Sequence, residues 1–253
     1  MQEAEVRGRR KAKYKLASEI LLDQIEKGDL RPGDQLPSEG QLVAQLGYSL
    51  GTIQHALRHL SAMGAVVRVH GSGTFVSGVR PPDEHLRHFR FRSEENGDLL
   101  PVFFETESIE HTEAQGPWSR FLQSESKGYV KIQRLISVNR EFEIFSELYL
   151  PASRFPDLLA MEPSDLDGVS VRDLLADKLN TPTVHTEQTM LCGTFPPRVT
   201  RRINMPFGVT GLTLTIRSET FRQTPVIWQR AFVPPSDREM EFLDTAPNPA
   251  RRK

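Results

Sequence analysis

The chain has one cysteine in 253 residues, Cys192, so no disulfide can form within it, as suits a reducing cytoplasm. No apolar run approaches the roughly 20 residues that span a bilayer. The N-terminal residues are charged and lack the apolar core of a secretory signal. A cytoplasmic protein with no membrane partner is therefore expected. Catalytic signatures are also missing: the sequence holds no Ser or Cys nucleophile motif, no Gly-rich phosphate loop and no H-E-x-x-H. His55 and His59 are four apart, a spacing that metals use, but no third ligand accompanies them, and His85 and His88 sit in a turn-rich stretch. No catalytic residue, metal or cofactor is expected. The near-zero net charge of -1 conceals an asymmetry. Residues 7–80 carry eleven Lys and Arg against six Asp and Glu, whereas residues 81–253 carry 21 against 25. A basic first module on an acidic remainder suggests that one part meets a polyanion.

That first module is highly patterned. Residues 13–27 form a helical stripe through Leu16, Ile20, Leu21 and Ile25, closed by Gly28. A turn-rich connection containing Pro32, Gly33 and Pro37 follows. Ser38 stands three residues before Gln41, the spacing of a capping box, at the head of a short helix with Leu42, Val43 and Leu46 inward. Ser49 can cap a third helix running to about Met63, with Ile53, Ala56, Leu57 and Leu60 on its core face. Leu50, Gly51, Thr52, Gln54, His55 and Arg58 remain near its outer face. Residues 66–70 and 74–76 can pair as a hairpin, with Gly71, Ser72 and Gly73 at the tip. Helix, turn, helix and hairpin make a winged helix-turn-helix, which lays one helix in the DNA major groove.

The pattern Y-K-L-A…I-x-x-G-x-L-x-P-G-D-x-L-P-S-E…L-G-x-S…T-I…A-L…G-S-G-T-F-V, residues 14–77, resembles the GntR family of bacterial transcription regulators. The resemblance implies DNA contacts from Ser38, Glu39, Ser49, Leu50, Gly51, Thr52, Gln54, His55, Arg58, Arg68, His70, Gly71, Gly73 and Thr74. It also implies a homodimer on an inverted-repeat operator in double-stranded DNA. Three positions depart from the family: members usually carry Arg where this chain has Gly40, Leu50 and Gln54. Arginine supplies phosphate anchoring and bidentate guanine contacts. Gln54 can instead pair with adenine and Leu50 can meet a thymine methyl. An altered operator and a weakened DNA contact are both open on these residues. Arg7, Arg9, Arg10, Lys11, Lys13 and Lys15 form a basic arm able to restore phosphate affinity.

Residues 79–93 are rich in Pro, Arg and His and read as a linker. Beyond them, residues 102–107, 129–136, 143–149, 184–191, 212–221 and 226–233 alternate like strands, with helical segments at 118–124 and 171–180. The expected fold class is α+β: a winged helix-turn-helix followed by an antiparallel α+β domain. The segment F-S-E-L-Y-L-P-A-S-R-F-P-D-L-L resembles the UTRA domain of the HutC branch of the family, which is similar in fold to chorismate lyase and binds small effectors. That resemblance covers residues 101–242. It implies a pocket containing Arg134, Glu147, Ser170, Arg172 and Trp228, with Arg134 on an anionic group. Here too the chain departs from its family: the usual R-x-R is Arg134-Leu135-Ile136, the usual Tyr is Arg172, and an acidic residue is replaced by Ile227. For Arg134 and Glu147 a structural salt bridge is an alternative, and for Trp228 a place in the core.

The expected organisation is 1–78 DNA-binding domain, 79–93 linker, 94–245 effector domain and 246–253 tail. The expected function is an effector-modulated transcription repressor. A sensor or adaptor with degenerate DNA binding, or a chorismate-lyase-like enzyme, are the alternatives.

Overall fold

A computed structural model describes residues 12–31, 34–63, 65–69, 73–76, 88–123 and 126–242. The basic arm through Lys11, the wing-tip residues His70 and Gly71 and most of the expected linker lie outside the described residues.

The N-terminal head comprises α1 (Lys13–Glu26), α2 (Glu39–Leu46), α3 (Leu50–Ala62) and a hairpin of β1 (Val66–Val69) with β2 (Gly73–Val76). Its helix starts follow their caps. The Ser38 hydroxyl accepts from the Gln41 N–H and the Gln41 carboxamide accepts from the Ser38 N–H, completing the capping box. Ser49 caps α3 by accepting from the Thr52 N–H, and Gly47, at φ 69°, closes α2 in the left-handed conformation. Ala17, Leu21, Ile25, Leu42, Ile53, Ala56 and Leu60 form the centre of the head. The stripe read on α1 is displaced. Leu16 and Ile20 are exposed, while Ala17, Ser18 and Leu22 join Leu21 and Ile25 on the buried face. The small Ala17 and Ser18 let α1 approach α3, and Ser18 donates to carbonyls of both Tyr14 and Ala56.

The C-terminal domain is built on a six-stranded antiparallel sheet in the order β4-β5-β6-β9-β8-β7. The strands are β4 (Val102–Thr112), β5 (Tyr129–Val138), β6 (Phe142–Pro151), β7 (His185–Thr194), β8 (Thr210–Thr220) and β9 (Thr224–Val233). Register fixes the faces. Arg134, Ser146 and Ala231 share one cross-strand row, and Gln133, Glu147 and Arg230 the adjacent row on the opposite face. The first face is covered by α5 (Val171–Asp177) and two 3-10 turns, at Pro156–Ala160 and Pro163–Leu166. The second is covered by α4 (Pro117–Leu122) and α6 (Pro197–Arg202). Both expected helices are shorter than read, because Gln123 (φ 66°) and Asn180 (φ 45°) turn the chain through left-handed conformations.

Part of the expected linker is structured. A short strand β3 (Arg90–Arg92) pairs with β10 (Glu239–Glu241), and Glu241 binds both Arg90 and Arg92 at 2.7 Å. Phe89 and Phe91 are buried against Ile136, Ile144 and Ile216. The strand was hidden because its pairing partner lies about 150 residues away in sequence.

Head and sheet domain touch. Phe221 is buried in the head's core and Val184 packs there too. Asn180 donates to the carbonyls of Ile25 and Glu26, at 2.9 and 3.1 Å, and so caps the end of α1. Arg222 pairs with Asp23 and Glu26.

Phe91→Ala is expected to destabilise the C-terminal domain by about 3–5 kcal/mol, read as a lower urea midpoint with unchanged slope. A residue in a solvated linker would move the midpoint very little.

Candidate functional site

Two sites follow from this frame. On the head, α3 presents its first turn outward: Leu50 is half exposed and Gly51, His55 and Arg58 are exposed. The Ser49 and Thr52 hydroxyls share a hydrogen bond at 2.9 Å. Gln54 is not free, since its carboxamide donates to Glu39 Oε2 at 2.9 Å. Arg68 of the wing reaches the other oxygen of the same carboxylate at 3.1 Å. Glu39 therefore ties α2, α3 and the wing together, and a carboxylate in that place positions its neighbours instead of attracting phosphate. His55 stacks on Tyr14 of α1, ring centroids 3.7 Å apart, with His59 edge-on to the same ring at 5.6 Å. This contact anchors α3 on α1 while His55 stays exposed. Gly40 and Gly51 have open space where a side chain would project. Ser38 and Gly73 serve local geometry: Ser38 is the α2 cap, and Gly73 pairs with Val69 at the wing's turn, at φ 124°. Thr74 faces Arg68 across the hairpin.

The second site is a cavity of about 50 Å³ under the sheet face that carries Arg134. Arg134 is 3% exposed. Its Nη2 donates to the carbonyls of Leu166 (2.7 Å) and Val169 (2.9 Å), and its guanidinium lies 4.7 Å from the centre of the Phe104 ring. Burial lowers its pKa to about 10, partly opposed by Asp167, so it remains a cation at neutral pH. Its Nε has no acceptor among the described residues. Arg172, at the start of α5, donates to the hydroxyl and carbonyl of Thr183, while its buried Nη1 has no acceptor either. Ser170 spends its hydroxyl on capping α5 through the Asp173 N–H. Phe104, His88, Ser218 and Gln229 join the apolar Phe89, Leu148, Val171 and Ile227 in the lining. The first four were not legible as site residues. Three come from strands whose register only the folded sheet sets, and His88 sits in the stretch read as linker.

The five residues expected in one pocket do not share it. Arg134, Ser170 and Arg172 line the cavity, whereas Glu147 and Trp228 face the other side of the sheet. The cause is the two-residue alternation of β6 and β9, which places Ser146 and Ile227 toward Arg134's side instead. Glu147, nearly buried, is held by both Nη atoms of Arg198 at 2.8 and 2.9 Å. It is thus an ion-pair partner, though of a residue the sequence did not single out.

A winged helix with an outward first turn on α3, joined to a sheet domain with a cationic cavity, defines a two-part DNA-binding regulator. The sequence matches the profile of bacterial regulatory proteins, gntR family, over residues 13–76, and that of the UTRA domain over 104–238. The chain belongs to the GntR-family regulators that carry a UTRA domain. Among curated relatives, the histidine utilization repressor of Klebsiella aerogenes is 45% identical over 64 residues, 25% of this chain and 27% of that protein. The chain thus spans about a quarter of that repressor's length. The mannosyl-D-glycerate transport/metabolism system repressor MngR of Escherichia coli K12 is 27% identical over 57% of this chain and 61% of its own length. Among solved structures, the ligand-binding domain of a GntR-family regulator from Bordetella bronchiseptica superposes with a TM-score of 0.55. It is 17% identical and covers 61% of this chain and 96% of that one, a likeness of fold alone.

If Gln54 leaves Glu39 to read a base, Gln54→Ala weakens a selected operator by about tenfold or more, given 1–3 kcal/mol for a bidentate base contact, with little change on random duplex. Equal losses on both, measured by fluorescence anisotropy at fixed salt, would leave Gln54 as a brace for Glu39 only.

Proposed function

We propose that this protein is a homodimeric transcription repressor whose operator affinity is set by a small anion bound between Arg134 and Arg172. The observation that carries this reading is that the buried Arg134 and the half-buried Arg172 line one cavity, each with a buried N–H that has no acceptor among the described residues. A buried donor without a partner costs roughly 1–3 kcal/mol, more when charged, and an anion's oxygens relieve that cost at both arginines. The cavity's size favours a compact carboxylate or similar group, and a larger ligand requires the wall around His88 and Phe89 to move outward. That the named relatives are repressors supports a binding role over an enzymatic one.

The route to DNA is short. Arg172 holds Thr183, whose neighbour Val184 packs into the head. Three residues past the end of α5, Asn180 caps α1. A ligand that draws Arg172 away from Thr183 loosens the segment on which the head rests. Two heads held at one separation fit an inverted repeat, and a changed separation does not. Moving occupancy from 99:1 to 1:99 needs about 5.5 kcal/mol of differential binding, so a compact anion tunes expression instead of switching it fully.

Selection of genomic fragments by the purified protein at moderate salt is expected to recover an inverted repeat. Sequence-blind, salt-sensitive binding alone would overturn the reading. With an operator in hand, a panel of acetate, malonate, succinate and phosphate is expected to contain an anion that shifts its affinity, and Arg134→Gln is expected to abolish that shift. Arg222→Ala, which removes the pairs to Asp23 and Glu26, is expected to leave anion binding by calorimetry unchanged while shrinking the anion's effect on operator affinity at least twofold. Exposed pairs are worth roughly 0.2–1 kcal/mol each.

A further inference from the structure

Glu147 and Trp228 line a second cleft, on the face of the sheet opposite Arg134. Lys131, Tyr149 and Trp228 form one cross-strand row of its floor, and Gln133, Glu147 and Arg230 the next. Trp118 of α4 closes one side, its ring flat on Tyr149 at 3.8 Å and inclined to Trp228 at 5.9 Å. Arg198 and Arg202 of α6 close the other. The cleft holds about 400 Å³, within the roughly 300–1,000 Å³ of small-molecule sites.

The donors of this cleft are unequally served. Arg198 is bidentate on Glu147, Arg202 meets Glu107 at 2.8 Å, and Lys131 lies 3.9 Å from Glu110. The Arg230 guanidinium, 4.9 Å from the Trp228 ring centre, has no hydrogen bond or ion pair among the described residues. Its Nε is buried without an acceptor, and so is the indole Nε1 of Trp118. Burial lowers the Arg230 pKa, with Glu147 opposing. One cation is therefore left over beside an aromatic wall, and two N–H groups of lining residues, both covered by neighbouring side chains, have no acceptor among the described residues. A monoanion with two oxygens matches that charge and that donor number, whereas a dianion leaves a charge unmatched. Aromatic rings on the wall favour an aromatic body on the ligand.

We infer that this cleft is a second ligand site, taking a small aromatic carboxylate whose oxygens accept from Arg230 and Trp118 and whose ring packs on the Trp118–Tyr149–Trp228 cluster. It lies across the sheet from the Arg134–Arg172 cavity, and its occupancy does not depend on the repressor reading.

The sequence contains two tryptophans, Trp118 and Trp228, and both line this cleft, so intrinsic fluorescence excited at the red edge of indole absorption reports on it selectively. Titration of the full-length protein with benzoate is expected to give a saturable change, absent with acetate and with benzyl alcohol. Arg230→Gln is expected to weaken benzoate about tenfold, the loss of one charge-assisted hydrogen bond. Arg230→Lys is expected to recover part of that loss, and Arg134→Gln to titrate like the parent. Trp118→Phe keeps the stacking and Trp228 as reporter, and is expected to bind several-fold more weakly, which serves should Arg230→Gln fail to fold. No saturable change with benzoate, an equal response to acetate, or parental affinity in whichever of Arg230→Gln and Trp118→Phe folds would overturn the inference.

Discussion

Burying the Arg134 guanidinium obliges the surrounding chain to supply acceptors for a cation that water no longer reaches. Two of them are carbonyls, those of Leu166 at the end of the second 3-10 turn and Val169 in the connection from it to α5. That connection is thereby fixed over the sheet. Gly168, at φ 67°, lets the chain reverse there, and its N–H reaches the Phe104 carbonyl of β4. Asp167 accepts from the Thr106 N–H and lends its charge to the arginine. The start of α5, and with it Ser170 and Arg172, is placed by this set of bonds. The domain thus positions its second guanidinium by satisfying the first.

The same sheet separates two chemistries. On one face Arg134 is buried beneath α5, and Arg172 of α5 lines the same cavity, beside the buried Phe89. On the other, an aromatic cluster meets a row of ion pairs and one arginine with no ion pair among the described residues. Adjacent residues of one strand serve opposite sides: Arg134 and Gln133 on β5, Ser146 and Glu147 on β6. A shift of register by one residue would exchange them, so the pairing that makes the sheet also assigns the sites.

The head shows a related economy of charge. A single carboxylate, Glu39, braces the reading helix and the wing through Gln54 and Arg68. The cost of that arrangement falls on Gln54, which must exchange a protein acceptor for a base before it can specify sequence. The head in turn rests on Asn180, Phe221 and Arg222. Its orientation is therefore tied to the end of the element whose start carries Arg172.

Local signals in the sequence were enough for the head and for the α+β character of the remainder. The Ser38–Gln41 box, the Ser49 cap, Gly47 and the apolar spacing of α3 act within a few residues, where capping and periodicity decide structure. Arg134, Ser170 and Arg172 could be named from resemblance to a family, and the fold brings these three together. The face of α1 could not be fixed this way, because Ala17 and Ser18 are buried by the close approach of α3 and not by their own hydrophobicity. The strand of residues 90–92 owes its order to a partner far along the chain. Glu147 and Trp228 were separated from Arg134 by strand register, which couples residues across β5, β6 and β9 and leaves no trace in any one of them. What the sequence alone determined was the set of elements and the residue types able to hold an anion. Tertiary structure decided which of those residues face one another, because alternation along a strand gains a direction only when its neighbours are in place.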